Sequence, residues 1–233
     1  MDAWSNAAPI GRTRTAEFMA GVYRWMSFAL ALTGLTAWAT ANTSLLSAFY
    51  IVRDGHIAGV TGLYWVAIVA ELLLVFAFAP VVQRVSFPTG LLMFLVYSAL
   101  SGVTLAAIAF YYTGASIAST LFVTGGAFFG LSLYASTTKR DLSGMRTFLF
   151  VGLIGLILGG IVNLFFRNSA MEFVLSCIGV VVFAGLTAYD TQKIRAMGES
   201  GDDRLALIGA LALYLDFINL FLYLLRFFGR RRD

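Results

Sequence analysis

Residues 205–228 read LALIGALALYLDFINLFLYLLRFF, an apolar run with one carboxylate, Asp216, near its middle. About 20 mostly apolar residues are enough for a helix to cross the hydrocarbon core of a bilayer. A charged side chain at that depth costs at least ~3 kcal/mol on insertion scales, so such a residue usually faces a partner or a cavity rather than lipid. The run therefore predicts a membrane-spanning helix whose polar face lies inside a bundle of helices.

A second carboxylate, Asp190, ends the apolar run 171–189. Only a short polar link joins this run to 205–228, and a short link between helices favours antiparallel neighbours. At a rise of about 1.5 Å per residue, the two carboxylates lie at similar distances from the shared turn. The sequence therefore predicts an intramembrane pair formed by Asp190 and Asp216.

The last apolar run also carries a polar stripe. Three further polar side chains share with Asp216 an arc of about 80° on one helix. They are Asn219, Tyr223 and Arg226. A helix surrounded by lipid would not tolerate such a stripe, so we expect this helix to turn it toward the bundle interior.

Two adjacent carboxylates cannot both ionise cheaply, so a pair formed by Asp190 and Asp216 would share one proton. With that proton the pair holds its two helices together, and without it the charges repel and loosen them. The ionised pair also attracts a hard cation such as Ca²⁺, which prefers oxygen ligands. Ordinary structural roles are the alternative: a buried hydrogen bond for Asp216, and for Asp190 a hydrogen bond with a nearby polar side chain. The candidates for that bond are Thr187, Thr191 and Gln192.

The rest of the chain has the same apolar character. Of its 233 residues, 60% are hydrophobic and 12% are charged, whereas soluble domains have about 25% charged residues. Long apolar blocks predict an all-α integral membrane protein with seven transmembrane helices. The predicted spans are 22–41, 57–79, 90–112, 115–135, 147–166, 171–194 and 205–228. They form a transmembrane domain over 22–228, between an N-terminal tail over 1–21 and a short basic C-terminal tail over 229–233.

The basic residues favour a cytoplasmic N-terminus. Ten of the 16 lysine and arginine residues fall on the N-terminal tail and on the connections that share its side, and basic segments are retained in the cytoplasm. Seven spans then place the basic tail at 230–232 on the opposite side, where basic residues are disfavoured. Either the ten basic residues on the N-terminal side decide the orientation, or the last segment does not cross the membrane fully. We expect that it crosses.

Several classes of protein are disfavoured. His56, the one histidine, lies in the first loop, and no HExxH or GxSxG motif occurs, so we expect no enzyme activity and no cofactor. Cys177 has no partner for a disulfide or a thiolate metal site. Lys139 lies in a loop and Lys193 at a helix end, which argues against a retinal Schiff base. The net charge of +4 reflects membrane topology, so we expect no nucleic-acid partner.

Glycine pairs mark close helix packing. Gly126 and Gly130 are four residues apart, as are Gly155 and Gly159, so each pair forms a flat strip on one helix face. Packing within the chain is the expected use of these strips, and a dimer face is the alternative.

Two segments together resemble the signature of the Bax inhibitor-1 family. They are YDTQKI at 189–194 and LDFINLF at 215–221, and SLYA at 132–135 before a basic loop is also similar. The chain resembles a bacterial member of this family, which implies a multi-pass protein of the bacterial inner (plasma) membrane. It also implies that the last of seven helices is central and surrounded by the other six.

The resemblance further implies a pH-sensitive calcium leak channel. The family's aspartate pair, its pH sensor and gate and a transient Ca²⁺ site, corresponds to Asp190 and Asp216. A pore latch corresponds to Glu71 and Arg226, and a basic partner of the first aspartate to Arg84. Expected partners are the lipid bilayer, Ca²⁺ and protons. Bacterial members are also linked to membrane-protein quality control, so the alternative is a non-conducting regulator or scaffold of a membrane protease or stress-response pathway. A proton-coupled carrier is a third hypothesis.

Overall fold

A computed structural model describes residues 10–198, 202–230 and 232. The chain is almost entirely helical, with one two-stranded hairpin in the described residues. The elements in chain order are α1 (Ile10–Asn42), α2 (Leu45–Phe49), β1 (Tyr50–Arg53), β2 (His56–Val60), α3 (Gly62–Val82), α4 (Phe87–Leu105), α5 (Ile108–Tyr111), α6 (Gly114–Thr137), α7 (Arg146–Phe166), α8 (Ser169–Met197) and α9 (Asp203–Phe228). This is the all-α membrane-type fold that the sequence predicts.

Six helical segments of the described chain are long and apolar enough to cross a membrane, judged by length and composition. They contain α3, α4 with α5, α6, α7, α8 and α9. The remaining predicted span lies in α1, which is long enough but is less apolar because it carries charged residues in its first half and threonines in its second. The count of seven spans therefore stays a prediction.

Helix α9 lies at the centre of the bundle. In its most apolar 18-residue window 61% of the residues are buried, against 11% in the corresponding window of α7. It packs against α1, α3, α4, α6 and α8. Helix α7 packs mainly against α8, and its Leu156 joins a core cluster with residues of α8 and α9: Val182, Phe183, Leu220 and Leu224.

A buried hydroxyl network fixes α9 against α1 and α4. The hydroxyls of Tyr214 and Thr33 lie 2.8 Å apart, and Thr33 lies 2.9 Å from the carbonyl oxygen of Ser98. The rings of Phe94 and Tyr97 meet the Tyr214 ring edge-on, each with centroids 5.9 Å apart. Buried tyrosines usually satisfy their hydroxyl in this way, and the apolar ring contributes most of the burial.

The long connection between the first two predicted spans is a β-hairpin. The predicted span over 57–79 is wrong at its start, because residues up to Val60 belong to β2 and the helix begins at Gly62. Asp54 and Gly55 form the turn with φ of 51° and 78°, the backbone that a two-residue hairpin loop requires. The Tyr50 hydroxyl donates to carbonyl oxygens of α4 and so ties the hairpin to the bundle.

The N-terminal helix is longer than the sequence predicts. It begins at Ile10, so the second half of the predicted tail over 1–21 is helical, and Phe18 and Met19 are buried in the main core cluster. Residues 1–9 lie outside the described residues. Mixed charges between Arg14 and Arg24 lower the hydropathy of this segment, which hides the helix from a search for apolar runs.

The glycine strips have different surroundings. A Cβ added at Gly159 would meet the side chain of Leu175 on α8, so this position packs within the chain. A Cβ at Gly155, Gly126 or Gly130 would meet no atom within 4 Å. The expected packing within the chain therefore holds for one of these four glycines.

The two ends of the bundle are distinct. The N-terminal end carries the starts of α1 and α9, and there the Arg204 guanidinium donates to the carbonyl oxygen of Gln83 at 3.0 Å. The C-terminal end carries the hairpin and the basic tail. The backbone N–H of Arg232 donates to Tyr111 at 2.9 Å, and Arg230 accepts from the backbone of Thr113 at 3.2 Å. Residues 231 and 233 of the predicted basic tail lie outside the described residues.

This arrangement allows a test of membrane orientation. A reporter enzyme that is active only outside the cytoplasm should be active when fused after Asp233, because the tail lies at the end opposite the start of α1 and the basic residues favour a cytoplasmic N-terminus. The control is the same reporter fused after Arg140, between α6 and α7, which should be silent. A silent fusion after Asp233 with an active one after Arg140 would mean that the orientation is reversed.

Candidate functional site

Asp216 is a buried carboxylate at the centre of the bundle. The residue is 4% exposed. Within the described part of the chain, one of its oxygens, Oδ2, is buried with no hydrogen-bond partner. Burial of a polar atom without a partner costs free energy, and burial of an ionised carboxylate costs far more. Asp216 is therefore held at this position at a cost to stability, which is typical of a functional group.

Asp190 on α8 is the charged neighbour of Asp216. It is half-buried, and its charge acts on the Asp216 carboxyl. Close packing sets the register of α8 and α9: a Cβ at Gly209 would meet Ile194, and one at Gly179 would meet Tyr223. By this register Asp216 lies about 5 Å, or one helical turn, beyond the level of Asp190. The structure thus brings the two predicted residues together, with an offset.

The three polar side chains that the sequence offers as hydrogen-bond partners of Asp190 bind other groups. Each of the three nearby polar side chains makes its hydrogen bonds with groups other than the Asp190 carboxylate. The Thr187 hydroxyl donates to the Phe183 carbonyl at 2.8 Å, and the hydroxyls of Thr191 and Ser132 lie 3.4 Å apart. The Gln192 side chain accepts from the Leu142 N–H at 2.8 Å and donates to the Arg140 carbonyl at 2.9 Å. These contacts therefore do not use the Asp190 carboxylate, whose charge acts on Asp216.

Lys193 is a neighbour of the pair that sequence reasoning missed as part of the site. It lies three residues after Asp190 on α8, and its charge acts on that carboxylate. Its ammonium lies 6.0 Å from the ring centroid of Tyr189. The signal was present in the sequence, because residues three apart on a helix are neighbours.

The predicted latch residues Glu71 and Arg226 are not brought together. Glu71 on α3 is half-buried, and its Oε1 accepts a hydrogen bond of 2.9 Å from the Thr104 hydroxyl on α4. The Arg226 guanidinium is exposed and lies 5.4 Å from the ring centroid of Tyr223. Each residue therefore has a different neighbour from the one that the resemblance implies.

Arg84, the predicted partner of Asp190, lies elsewhere. It follows the C-terminal end of α3 and is exposed. Within the described residues it forms no ion pair with Asp190. The positive charge that acts on Asp190 is that of Lys193 instead.

The polar stripe on α9 faces α8 over part of its length. The Tyr223 ring stacks on Phe183 of α8 with centroids 5.7 Å apart. Asn219 donates to the Leu215 carbonyl of its own helix at 2.8 Å. Asp216 is buried inside the bundle and Tyr223 is half-buried against α8, as the stripe predicts, whereas Arg226 is exposed, so the prediction of an interior position is wrong for Arg226.

The pair alone does not form a cage for a resident metal ion. Among the described residues no group of three or more histidine, cysteine, aspartate or glutamate side chains is placed to hold one. Ca²⁺ takes six to eight oxygen ligands, roughly, in a stable site. The two carboxylates alone fall short of that number.

A helical bundle with membrane-length helices and buried carboxylates between them defines a multi-pass membrane protein. Residues 15–233 match the model of the family described as inhibitor of apoptosis-promoting Bax1. The chain therefore belongs to the Bax inhibitor-1 family, as its two signature segments indicate.

Relatives of similar length support this assignment. The chain is 46% identical to the inner membrane protein YbhL of Escherichia coli K12, over 100% of both chains. It is 41% identical to an uncharacterized protein of Borreliella burgdorferi, over 93% of each chain, and 42% identical to the uncharacterized protein RP147 of Rickettsia prowazekii, over 93% of this chain and 91% of that one. The similarity to YbhL and the six membrane-length helices support a location in the inner membrane.

Proposed function

We propose that this protein is a leak channel for cations, calcium in particular, whose opening is controlled by the protonation of Asp190 and Asp216. The observation that carries the proposal is the buried Asp216 oxygen without a hydrogen-bond partner, in the central helix and beside a second carboxylate. A scaffold has no need for such a group, whereas a gate that senses protons does. The proposal requires no catalytic step and no bound cofactor.

The protonation state of the pair sets the sign of the pH dependence of flux. At low pH a proton shared by Asp190 and Asp216 satisfies the buried oxygen and holds α8 to α9. As the pH rises the pair loses this proton, the two charges repel, and the two helices loosen. Flux should therefore be low in acid and increase with pH.

The same ionisation prepares a path for a cation. Ionised carboxylate oxygens attract Ca²⁺, and the hydroxyls of Ser132 and Thr191 lie between α6 and α8 to add further oxygen atoms. The latch role implied for Glu71 and Arg226 is not part of the proposal, because each has another neighbour in this state.

Calcium flux into liposomes tests the proposal. Purified protein in liposomes that contain a calcium-sensitive dye should admit Ca²⁺, and the rate should rise with pH across the titration of the pair. Protein-free liposomes at the same pH values are the control. A rate equal to that control at every pH would contradict the channel and favour the non-conducting regulator, in association with a membrane protease.

A further inference from the structure

A polar cavity lies at the N-terminal end of the bundle, away from the carboxylate pair. Its volume is about 440 Å³. Four exposed charged side chains form its rim: Arg14, Glu17 and Arg24 on α1, and Asp203 at the start of α9. We call this cavity the headgroup pocket. Nothing in the channel proposal uses it.

The floor of the headgroup pocket is apolar and aromatic. It includes Phe18, Trp25 and Phe87, and the rings of Trp25 and Phe87 lie with centroids 5.8 Å apart. The Arg24 guanidinium lies 5.5 Å from the Trp25 ring centroid. A charged rim over an aromatic floor suits a ligand that is polar at one end and apolar at the other.

The position of the pocket matches the surface of a bilayer. Phe87 is the first residue of one membrane-length helix, and Asp203 is the first residue of another. The ends of such helices lie near the boundary between hydrocarbon and headgroups, and tryptophan is enriched at that depth. The molecules most abundant beside the pocket are therefore phospholipids.

The charges on the rim are of both signs and do not neutralise each other. Within the described part of the chain, no ion pair joins any two of Arg14, Glu17, Arg24 and Asp203. Arginine binds phosphate through a fixed fork of N–H donors. A carboxylate accepts hydrogen bonds from a primary ammonium group, which has three N–H donors. The rim thus complements a ligand that carries a phosphate and an ammonium group together.

We propose that the headgroup pocket binds a phospholipid with a primary ammonium headgroup, that is, a phosphatidylethanolamine. The arginines contact its phosphate, the carboxylates of Glu17 and Asp203 contact its ammonium, and the aromatic floor contacts the glycerol and the start of the acyl chains. A phosphatidylglycerol head would bring no positive charge to the two carboxylates. A phosphatidylcholine head would bring a positive charge with no N–H to donate.

Thermal unfolding in detergent tests this order of preference. Short-chain dihexanoyl forms of the three lipids are titrated into the purified protein, and the midpoint temperature is recorded. The ethanolamine lipid should reach half its effect at a concentration about threefold to fivefold lower than either other lipid, the range expected for exposed ion pairs. Equal effects of all three lipids, or the strongest effect from the glycerol lipid, would overturn the proposal.

Charge-removing variants separate the two halves of the pocket. Glu17→Gln, alone and with Asp203→Asn, should remove the preference for ethanolamine over choline while binding of both lipids persists. Arg14→Gln with Arg24→Gln should weaken the effect of all three lipids. Asp54→Asn, at the exposed hairpin turn of the opposite end, is the control and should leave the preference unchanged. An unchanged preference in Glu17→Gln and in the double carboxylate variant would overturn the proposed ammonium contact.

Discussion

Asp216→Asn should flatten the pH dependence of calcium flux and keep the rate near its low-pH value. The asparagine amide is neutral at every pH and donates an N–H to Asp190, so the second charge that loosens α8 from α9 never forms. Hydrogen bonds to charged groups contribute roughly 1.5–3 kcal/mol. The rate at high pH should therefore be about tenfold to a hundredfold below that of the unaltered protein.

The measurement is the liposome assay across the same pH range. Asp54→Asn is the matched control, because it makes the same chemical change at an exposed turn of the hairpin; it should keep the full pH response. If Asp216→Asn retained that response as well, the gate would lie elsewhere in the protein.

Gly102→Ala should destabilise the bundle at the contact between α1 and α4. Gly102 is buried, and an added Cβ would collide with the Thr36 hydroxyl and with the backbone oxygen of Thr33. A backbone atom inside a helix cannot move aside cheaply, and overpacking of a core costs typically about 1–3 kcal/mol. Thr33 also holds Tyr214 of the central helix, so the strain reaches α9.

Thermal unfolding in detergent measures this effect, with an expected drop in the midpoint of roughly 5 °C. Gly126→Ala on α6 is the matched control, because a Cβ there would meet no atom within 4 Å; its midpoint should stay the same or rise slightly through better helix propensity. An equal midpoint for the two variants would mean that α1 and α4 are not packed as closely as described.

The carboxylate pair was predictable because its signals lie in short stretches of the sequence. A charge inside an apolar run stands out in the sequence, and the short link between 171–194 and 205–228 places the two helices side by side. The offset of one turn between Asp190 and Asp216 was not predictable. The offset is set by the packing of the Tyr223 ring against Gly179. The sequence alone does not show which glycine packs against which side chain.

The hairpin was missed because its second strand is apolar and adjoins a true span. Residues 57–60 read IAGV, which hydropathy alone cannot distinguish from the start of a helix. The turn at Asp54 and Gly55 was the available signal, since this dipeptide favours a two-residue hairpin loop. The predicted span was started at residue 57 because the high hydropathy of the residues that follow the turn was given more weight than the turn itself.

The neighbours of Glu71 depend on tertiary packing. The Thr104 hydroxyl reaches Glu71 because α3 and α4 lie side by side. Several residues of α4 carry hydroxyls, so the sequence alone does not identify which of them is the partner. The central position of α9 was implied by the resemblance, and its polar stripe independently indicated an interior helix.

The measurement that tests the central claim most directly is the pH profile of calcium flux in Asp190→Asn, Asp216→Asn and the double variant. If the two carboxylates share one proton, each single variant removes the same response, and the double variant adds nothing to either. If each single variant instead removes part of the response and the two parts add in the double variant, Asp190 and Asp216 titrate independently and do not form the gate.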